Sequence, residues 1–455
     1  MSNSCVTQKE TAPWLGLEAP RYTSYPTAHH FFPQTGENTL IPWLKGLPGD
    51  AAISVYVHIP FCRQLCWFCG CHTKMTNHYA PIARYVRVML EEIALLKRYA
   101  GGKGRLANIH FGGGSPGLLE AQDMEAILSS LVSMFEMRPS GELAIELDPR
   151  TTTSENIERY AAWGFNRVSI GIQDFDPQVQ QAINRVQPYP LVESRMLQLR
   201  EAGISRINCD LIYGLPHQTP ESFRATLEQT IALEPSRIAL FSYAHLPQMK
   251  KHQRMIDAAT LPSETAKLAL YAMARALLEA AGYVTIGIDH FAKMDDPLSV
   301  AAQERVLKRN FQGYVTDTTD ALIGIGSSAI SQFPQGYAQN SANAQDYRKM
   351  IGDGQLPIVR GWKCSVEDRA RKQVIDEIMC FMSVNLAEIR KRYGLDENYF
   401  QQEISDLQKL EYQEIAASDR EHIQVITEHR MAARVVASVF DQYRGIAPGR
   451  YSKVA

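Results

Sequence analysis

The sequence predicts an α/β protein built on a parallel sheet, with an irregular arm before it and a smaller, mainly helical part after it. Three observations carry that expectation. From about residue 51, short β-branched or apolar runs alternate with longer amphipathic stretches. Strands alternating with helical patterns mean βαβ units. Chemically capable residues collect just after the runs, and four of the eight cysteines crowd into FCRQLCWFCGC (61–71), directly behind the first. Six such strands suit either a doubly wound sheet or an incomplete α/β barrel, and both place functional residues at the C-terminal strand ends.

Residues 1–50 are rich in Pro, Gly, Thr and His and show little periodicity, so they read as an arm lying against another surface. The strands then come in order: ISVYVHI (53–59), LANIHF (106–111), LAIEL (143–147), RVSIGI (167–172), RINCDLIYG (206–214) and RIALFSY (237–243). Between them lie helical patterns at 81–100, 121–135, 190–203 and 220–234. The cysteines follow strand one and GGGSP follows strand two. Glu146 and Asp148 end strand three, and Gln173 and Asp174 follow strand four. Asp210 lies in strand five, and Tyr243 and His245 follow strand six. A further helix (263–282) and strand (283–288) come next. Beyond about residue 345 the βα rhythm fades into helices, a short strand at 422–427 and a terminal helix around 428–443. The expected units are therefore 1–50, 51–345 and 346–455.

Composition bounds the rest. Hydrophobic content of 45% and charged content of 21% are ordinary for a globular protein. A formal charge of −2 gives no general pull toward nucleic acid or an anionic membrane. No apolar run approaches the roughly 20 residues that span a bilayer. The N-terminus lacks a basic segment followed by an apolar one, so no secretory signal is read and a cytoplasmic protein is expected. Thiols stay reduced there, and crowded cysteines then point to metal or redox chemistry.

The spacing C-x-x-x-C-x-x-C-x-C joins Cys62, Cys66, Cys69 and Cys71. Zinc sites pair it with a second, distant pair, which is absent, and a redox C-x-x-C would use only Cys66 and Cys69. Three thiolates on one tight loop suit a [4Fe–4S] cluster with one iron left open.

C-x-x-x-C-x-x-C after the first strand resembles the signature of radical S-adenosylmethionine (SAM) enzymes. Within that superfamily the chain is similar to the oxygen-independent coproporphyrinogen III oxidases (coproporphyrinogen dehydrogenases). The likeness runs nearly end to end. It is carried by RYTSYPTA (21–28), YVHIPFC (56–62), CWFCGC (66–71), IHFGGGSP (109–116), IELDPR (145–150), RVSIGIQDF (167–175), INCDLIYGLPHQT (207–219), GIDHFA (287–292), RNFQGY (309–314) and the ending RYSKVA. The resemblance implies an incomplete, TIM-like (β/α)6 barrel for 51–345. It implies Tyr56, Cys62, Cys66 and Cys69 as the catalytic set, with the three cysteines as iron ligands. Cys71 is the family's extra cysteine, not expected on iron, and related heme-handling chaperones typically lack it.

By the same resemblance Tyr56, Phe68, Gly113, Gly114, Ser115, Glu146, Gln173, Arg185, Asp210, Ala244 and Ile330 lie near SAM, of which the family holds two molecules. Ser115 stands where the family usually has Thr; the hydroxyl is kept. Read from the residues alone, Tyr56 and Phe68 would also serve as core aromatics. Glu146 and Asp210 are carboxylates in apolar strands, where ligand contact explains them better than an unpaired charge. Gln173 would equally cap the next helix. Arg185 rests on the resemblance alone, and nothing in the sequence marks Ala244 or Ile330. In GGGSP the glycines would let backbone groups approach a ligand closely.

The implied reaction is oxidative decarboxylation of two propionates of coproporphyrinogen III to vinyls, giving protoporphyrinogen IX in heme and porphyrin biosynthesis. A 5′-deoxyadenosyl radical would take a propionate hydrogen that is not acidic enough for a base. The implied partners are a reduced flavodoxin- or ferredoxin-like donor, no nucleic acid and no membrane, with the chain a monomer. Propionates need cations, and Arg21 is a candidate if the arm covers the pocket, with Tyr22 and Tyr25 beside it. His29, His30, His58, His72 and His290 lack ligand spacing and read as ordinary polar residues. The competing readings are a heme chaperone on the same fold, another radical SAM tetrapyrrole enzyme such as a ring-opening methyltransferase, and a zinc-stabilised binding protein. Iron and sulfide analysis tests the ligand set. Cys62→Ser, Cys66→Ser and Cys69→Ser are each expected to lose the cluster, and Cys71→Ser to keep it.

Overall fold

The computed structural model describes residues 14, 17–33, 36–316, 319–409, 412 and 414–445. Cys5 and the ending RYSKVA lie outside the described residues. After helix α1 (Glu37–Lys45), strand β1 (Ala52–Ile59) runs into the cysteine loop. Within that loop β2 (Phe61–Cys62) pairs in parallel with β3 (Lys74–Met75). Helices α2 (Ala80–Ala100) and α3 (Ala121–Met134) then alternate with β4 (Arg105–Gly113) and β5 (Glu136–Leu147). The pattern continues through α4 (Ser154–Ala162), β6 (Arg167–Gln173), α5 (Pro177–Ala182) and α6 (Tyr189–Glu201). It ends with β7 (Arg206–Tyr213), α7 (Pro220–Ala232), β8 (Arg237–Ser242) and α8 (Glu264–Ala280).

Strands β1 and β4 to β8 pair in parallel in chain order. In β1 the alternation is plain: Ile53, Val55, Val57 and Ile59 are fully buried, while Ser54, Tyr56 and His58 take the other face. That face is the interior of the open barrel. Low in it Asn108 donates to Ser54 Oγ, and Arg167 pairs with Glu142 at 3.1 Å. Helix starts are set by side-chain caps: Thr153 and Thr219 form capping boxes, and Asp176 caps α5.

The sheet is larger than six strands. On one side β9 (Tyr283–Ile286) and β10 (His290–Lys293) extend it antiparallel beyond β8. A hairpin, β11 (Lys308–Asn310) with β12 (Gly313–Val315), follows as a separate ribbon. On the other side β13 (Ala321–Ile325) pairs in parallel with β1. Then β14 (Ile330–Phe333), β15 (Gly336–Asn340) and β16 (Ile358–Lys363) add antiparallel strands, making twelve in one sheet. The sheet thus continues past residue 345. These added strands are short and interrupted by Gly, Ser and Gln, so their apolar alternation is weak in sequence. Helices Val366–Phe381, Leu386–Tyr393 and Gln401–Leu407 and a three-stranded sheet make up the C-terminal region. The terminal helix expected at 428–443 is a 3-10 turn, Thr427–Ala432, followed by the shorter helix Ala433–Ser438.

The arm does not lie loose. Phe32 exchanges backbone hydrogen bonds with Gly361 at the edge of β16, and its ring stacks on Trp362. Tyr22 donates to Asp441, and Tyr25 Oη accepts from Gln442 N–H. Both rings are fully buried against the C-terminal segment, so Tyr22 and Tyr25 do not line a pocket beside Arg21 as expected.

One buried carboxylate ties α2 to the far side of the sheet. Glu92 accepts from Gly326 N–H (2.8 Å), Asn340 Nδ2 (2.6 Å) and Tyr347 Oη (2.6 Å). Burial pushes its pKa up to about 7 against those three donors. A folded pKa above the unfolded value means stability that is present in acid and lost as pH rises through about 7. Wild type should therefore lose on the order of 3 kcal/mol of its advantage over Glu92→Ala between pH 4.5 and pH 8, read from paired urea melts.

Candidate active site

The site lies at the C-terminal ends of the parallel strands. The register sets His58 opposite Gly112 and Ile59 opposite Gly113, which brings the cysteine loop against GGGSP. That turn is tight for internal reasons. Gly113 has φ +107°, and a Cβ there would meet the His58 ring at 2.4 Å. A Cβ at Gly114 would meet Phe61 O at 2.6 Å, and one at Gly112 would meet Glu146 Oε1 at 2.7 Å. The amides of this turn are already spent: Gly113 on Glu146 Oε2 (3.0 Å), Gly114 on Ile59 O (2.9 Å) and Ser115 on Phe61 O (2.7 Å). Of the backbone groups expected to approach a ligand, the N–H groups are therefore not free, and the missing Cβ atoms make room for neighbouring protein atoms. Ser115 Oγ is the polar atom left over, buried and without a partner.

The three expected iron ligands surround the loop differently. Cys62 Sγ lies 3.2 Å from Thr73 Oγ1, and burial pushes its thiol up to about 11. Cys66 is buried, and its sulfur lies 3.5 Å from both Arg150 Nη2 and Arg185 Nη1. Cys69 is pulled down to about 6, chiefly by the Cys71 thiol, with the Cys71 N–H (3.4 Å), His252 and Lys250 adding to it. Cys71 is solvent-reached, and the same coupling pushes its own thiol well up. Lys250 donates to Cys71 O (3.2 Å) and His252 to Cys69 O (2.7 Å), so the segment after β8 fastens the loop. Among the described residues no three His, Cys, Asp or Glu side chains converge as they would on a single metal ion. Donor chemistry, two guanidinium groups at a ligand sulfur and the unpartnered Ser115 hydroxyl all fit a thiolate-ligated cluster with SAM beside it.

The other expected residues distribute around this loop. Glu146 accepts from Gly113 N–H and from His110 Nε2 (3.1 Å). Burial opposes its charge, but His110 and that amide hold it below the ordinary carboxylate range. Tyr56 stacks on His110, with centroids 5.8 Å apart, and burial beside Glu146 raises its phenol strongly. Its Oη lies 3.2 Å from His58 Nδ1. His58 Nε2 faces His72 O at 3.0 Å, and a carbonyl only accepts, so Nε2 carries the proton. Burial keeps His58 neutral, so Nδ1 accepts from Tyr56. Asp210 accepts from Ser169 (3.0 Å) and Asn208 (2.7 Å) and is pushed up to about 6 by burial and then by Glu146.

Gln173 is buried at φ +70°, and Asp176 caps the next helix, so the capping alternative for Gln173 is excluded. Arg185 is buried and donates to Gly171 O at 2.6 Å; it is no solvated helix residue. Phe68 and Trp67 pack on Ile183, Ile212 and Tyr243, forming an apolar wall. Ala244 O accepts from Gln253, which also donates to Phe68 O. Ile330 O would clash with a Cβ on Gly324, the residue paired with Tyr56, so Ile330 backs the same strand level.

Sequence reasoning passed over Arg150 and His110 and read His58 as an ordinary polar residue. Arg150 grips Asp148 in a fork (2.9 and 2.7 Å) and so reaches Cys66. The signal was an arginine two residues behind a strand-end carboxylate in IELDPR. The two histidines face the interior by alternation in β1 and β4, at even spacing from Tyr56 and Gly112.

A model of the radical SAM superfamily matches residues 56–230. The chain is 43% identical over 432 residues to the oxygen-independent coproporphyrinogen III oxidase of Bradyrhizobium diazoefficiens, with 95% of each covered. It is 38% identical to the enzyme of that name from Paracoccus denitrificans, over 97% of this chain and 98% of the relative. The solved structure of coproporphyrinogen III oxidase from Escherichia coli, described as a radical SAM enzyme, superposes with a TM-score of 0.89 at 36% identity. That match covers 93% of this chain and 97% of the other. Gly113→Ala should weaken SAM binding roughly tenfold or more, because the new Cβ must displace either His58 or the amide bonded to Glu146. Anaerobic equilibrium dialysis reads this, and an unchanged affinity would contradict the role given to the turn.

Proposed function

The chain belongs to the oxygen-independent coproporphyrinogen III oxidase family of radical SAM enzymes, and on that footing we propose that it oxidatively decarboxylates two propionates of coproporphyrinogen III to the vinyls of protoporphyrinogen IX. The observation that carries this reading is the cysteine loop set against the Gly113–Ser115 turn, whose Gly114 and Ser115 amides bond to Ile59 O and Phe61 O.

The reading includes one [4Fe–4S] cluster on Cys62, Cys66 and Cys69 and SAM, two molecules by family expectation. When bound, these groups supply the hydrogen-atom abstraction that an unactivated propionate C–H demands. The chain does the rest. Arg150 and Arg185 offset thiolate charge at Cys66, and the Cys71 N–H does so at Cys69. Asp210 and Glu146 offer carboxylate oxygens to ligand hydroxyl or ammonium groups, while Phe68 and Trp67 exclude water from that wall. Tyr56, held by His58 and His110, keeps a protonated phenol facing the same space.

Each propionate loses a hydrogen atom and CO2, and one electron leaves to an acceptor. The proposed donor is a reduced flavodoxin- or ferredoxin-like protein meeting a monomer in the cytoplasm. Among the described residues no helix is long and apolar enough to cross a membrane, and the near-neutral net charge gives no general pull on nucleic acid.

The deciding experiment is anaerobic incubation of the reconstituted protein with SAM, a reductant and coproporphyrinogen III. Protoporphyrin, CO2 and 5′-deoxyadenosine are expected together. Stoichiometric heme binding without CO2 release would favour a chaperone instead, and a colourless protein after reconstitution would sink the cluster assignment.

A further inference from the structure

Three buried or half-buried arginines meet where the arm crosses the end of β8. Arg21, on the arm, donates one hydrogen bond from Nη2 to Ser242 O at 2.9 Å. Arg309, beside the β11–β12 turn, donates from Nε to Arg21 O at 3.3 Å. Its Nη1 is buried, lacks a hydrogen-bond partner and lies 3.8 Å from Asp289 Oδ1. Arg434 donates to the carbonyls of Pro20 and Ala19 and so pins the arm.

Positive charge is concentrated here, with Asp376 a further carboxylate acting on Arg309. The three guanidinium groups act on one another and share Asp289, which His290 also engages at 2.7 Å. Arg309 holds Asp289 down to about 2, so its charge is fixed. Burial and the neighbouring Arg21 bring Arg434 down to about 9, so these cations sit close together and out of water. An enclosed excess of positive charge is costly unless an anion completes it.

Position indicates which anion. Ser242 ends β8, two residues before Ala244, and His290 acts on Asp210 across the interior. The arginines therefore face the same end of the barrel as the cofactor residues. Arg21 keeps a solvent-reached edge, whereas Arg309 is only 5% exposed. One member is fixed behind and one stands open in front.

Resting on the proposed propionate-bearing substrate, we propose that Arg21 and Arg309 form the receptor for one substrate carboxylate. Arg21 offers the open fork, Arg309 supplies the fixed charge behind it, and Asp289 holds Arg309 in place. A carboxylate takes a guanidinium fork in a bidentate fashion, which a lysine cannot reproduce. Anchoring a propionate here would set the opposite side of the macrocycle toward the cysteine loop.

SAM also carries a carboxylate, so the test has two arms. The first measures binding of coproporphyrin III, the air-stable ring with the same four propionates, by fluorescence quenching. The second measures SAM affinity by dialysis on the same preparations. Arg21→Gln should bind coproporphyrin III about tenfold more weakly, and Arg21→Lys about threefold, with SAM affinity and iron content kept. Should Arg21→Gln fail to retain its iron, Arg21→Lys and Arg309→Lys carry the comparison. Wild-type porphyrin affinity in the folded variants overturns the receptor, as does a loss that falls on SAM alone. Failure of the wild-type protein itself to bind coproporphyrin III overturns the substrate reading instead.

Discussion

The parallel register between β1 and β4 governs the site, because it sets Ile59 beside Gly113 at the point where both strands end. A one-residue slip would turn Tyr56 and His58 into the helix layer and bring Val55 and Val57 inside. The register is held from both faces. The fully buried Ile53, Val55, Val57 and Ile59 fix the outer side, and Tyr56, His58 and His110 interlock on the inner one. Glycine at 112, 113 and 114 then allows the His58 ring, the Phe61 backbone and the Glu146 carboxylate to occupy space that any Cβ would claim. The turn is thus dense with protein, and its N–H groups are bonded within the chain.

Charge in this interior is arranged in groups with different signs of imbalance. Around Cys66, Asp148 is shared by Arg150 and Arg185, leaving cationic donors against a sulfur. Glu146 and Asp210 face one another across the barrel mouth, and that mutual repulsion adds to burial in raising Asp210. Beyond His290 the sign reverses again at Arg21, Arg309 and Arg434. Such a gradient, from cation to anion to cation, has the polarity that the proposed zwitterionic cofactor and polyanionic substrate call for.

The C-terminal region bears on the site through the arm. Arg434, Asp441 and Gln442 bond to Ala19, Pro20, Tyr22 and Tyr25, and β16 pairs with Phe32. The arm is held on both sides, so Arg21 is positioned by residues more than two hundred and four hundred places away. Stacked and edge-on rings at Phe31–Tyr337, Phe32–Trp362 and Trp362–Tyr443 complete the strap.

The sequence by itself determined the six parallel strands, most of the helices between them and the gathering of cysteines, glycines and carboxylates at strand ends. Local physics suffices there: period-two apolar runs, helix caps and breakers act over a few residues. Cys71 was set apart from Cys62, Cys66 and Cys69 only by the family resemblance, and the structure adds that its N–H donates to the Cys69 sulfur. Tertiary structure alone decided that β13 and its antiparallel neighbours extend the sheet past residue 345, because those strands are short and their pairing is long-range. It alone set Arg185 against the Cys66 sulfur and gave Arg150, His58 and His110 their places. It also buried Tyr22 and Tyr25 against the C-terminal segment while bonding Arg21 to the end of β8. Each of these turns on which distant element lies opposite a side chain, and that is a property of the packed chain rather than of any window of it.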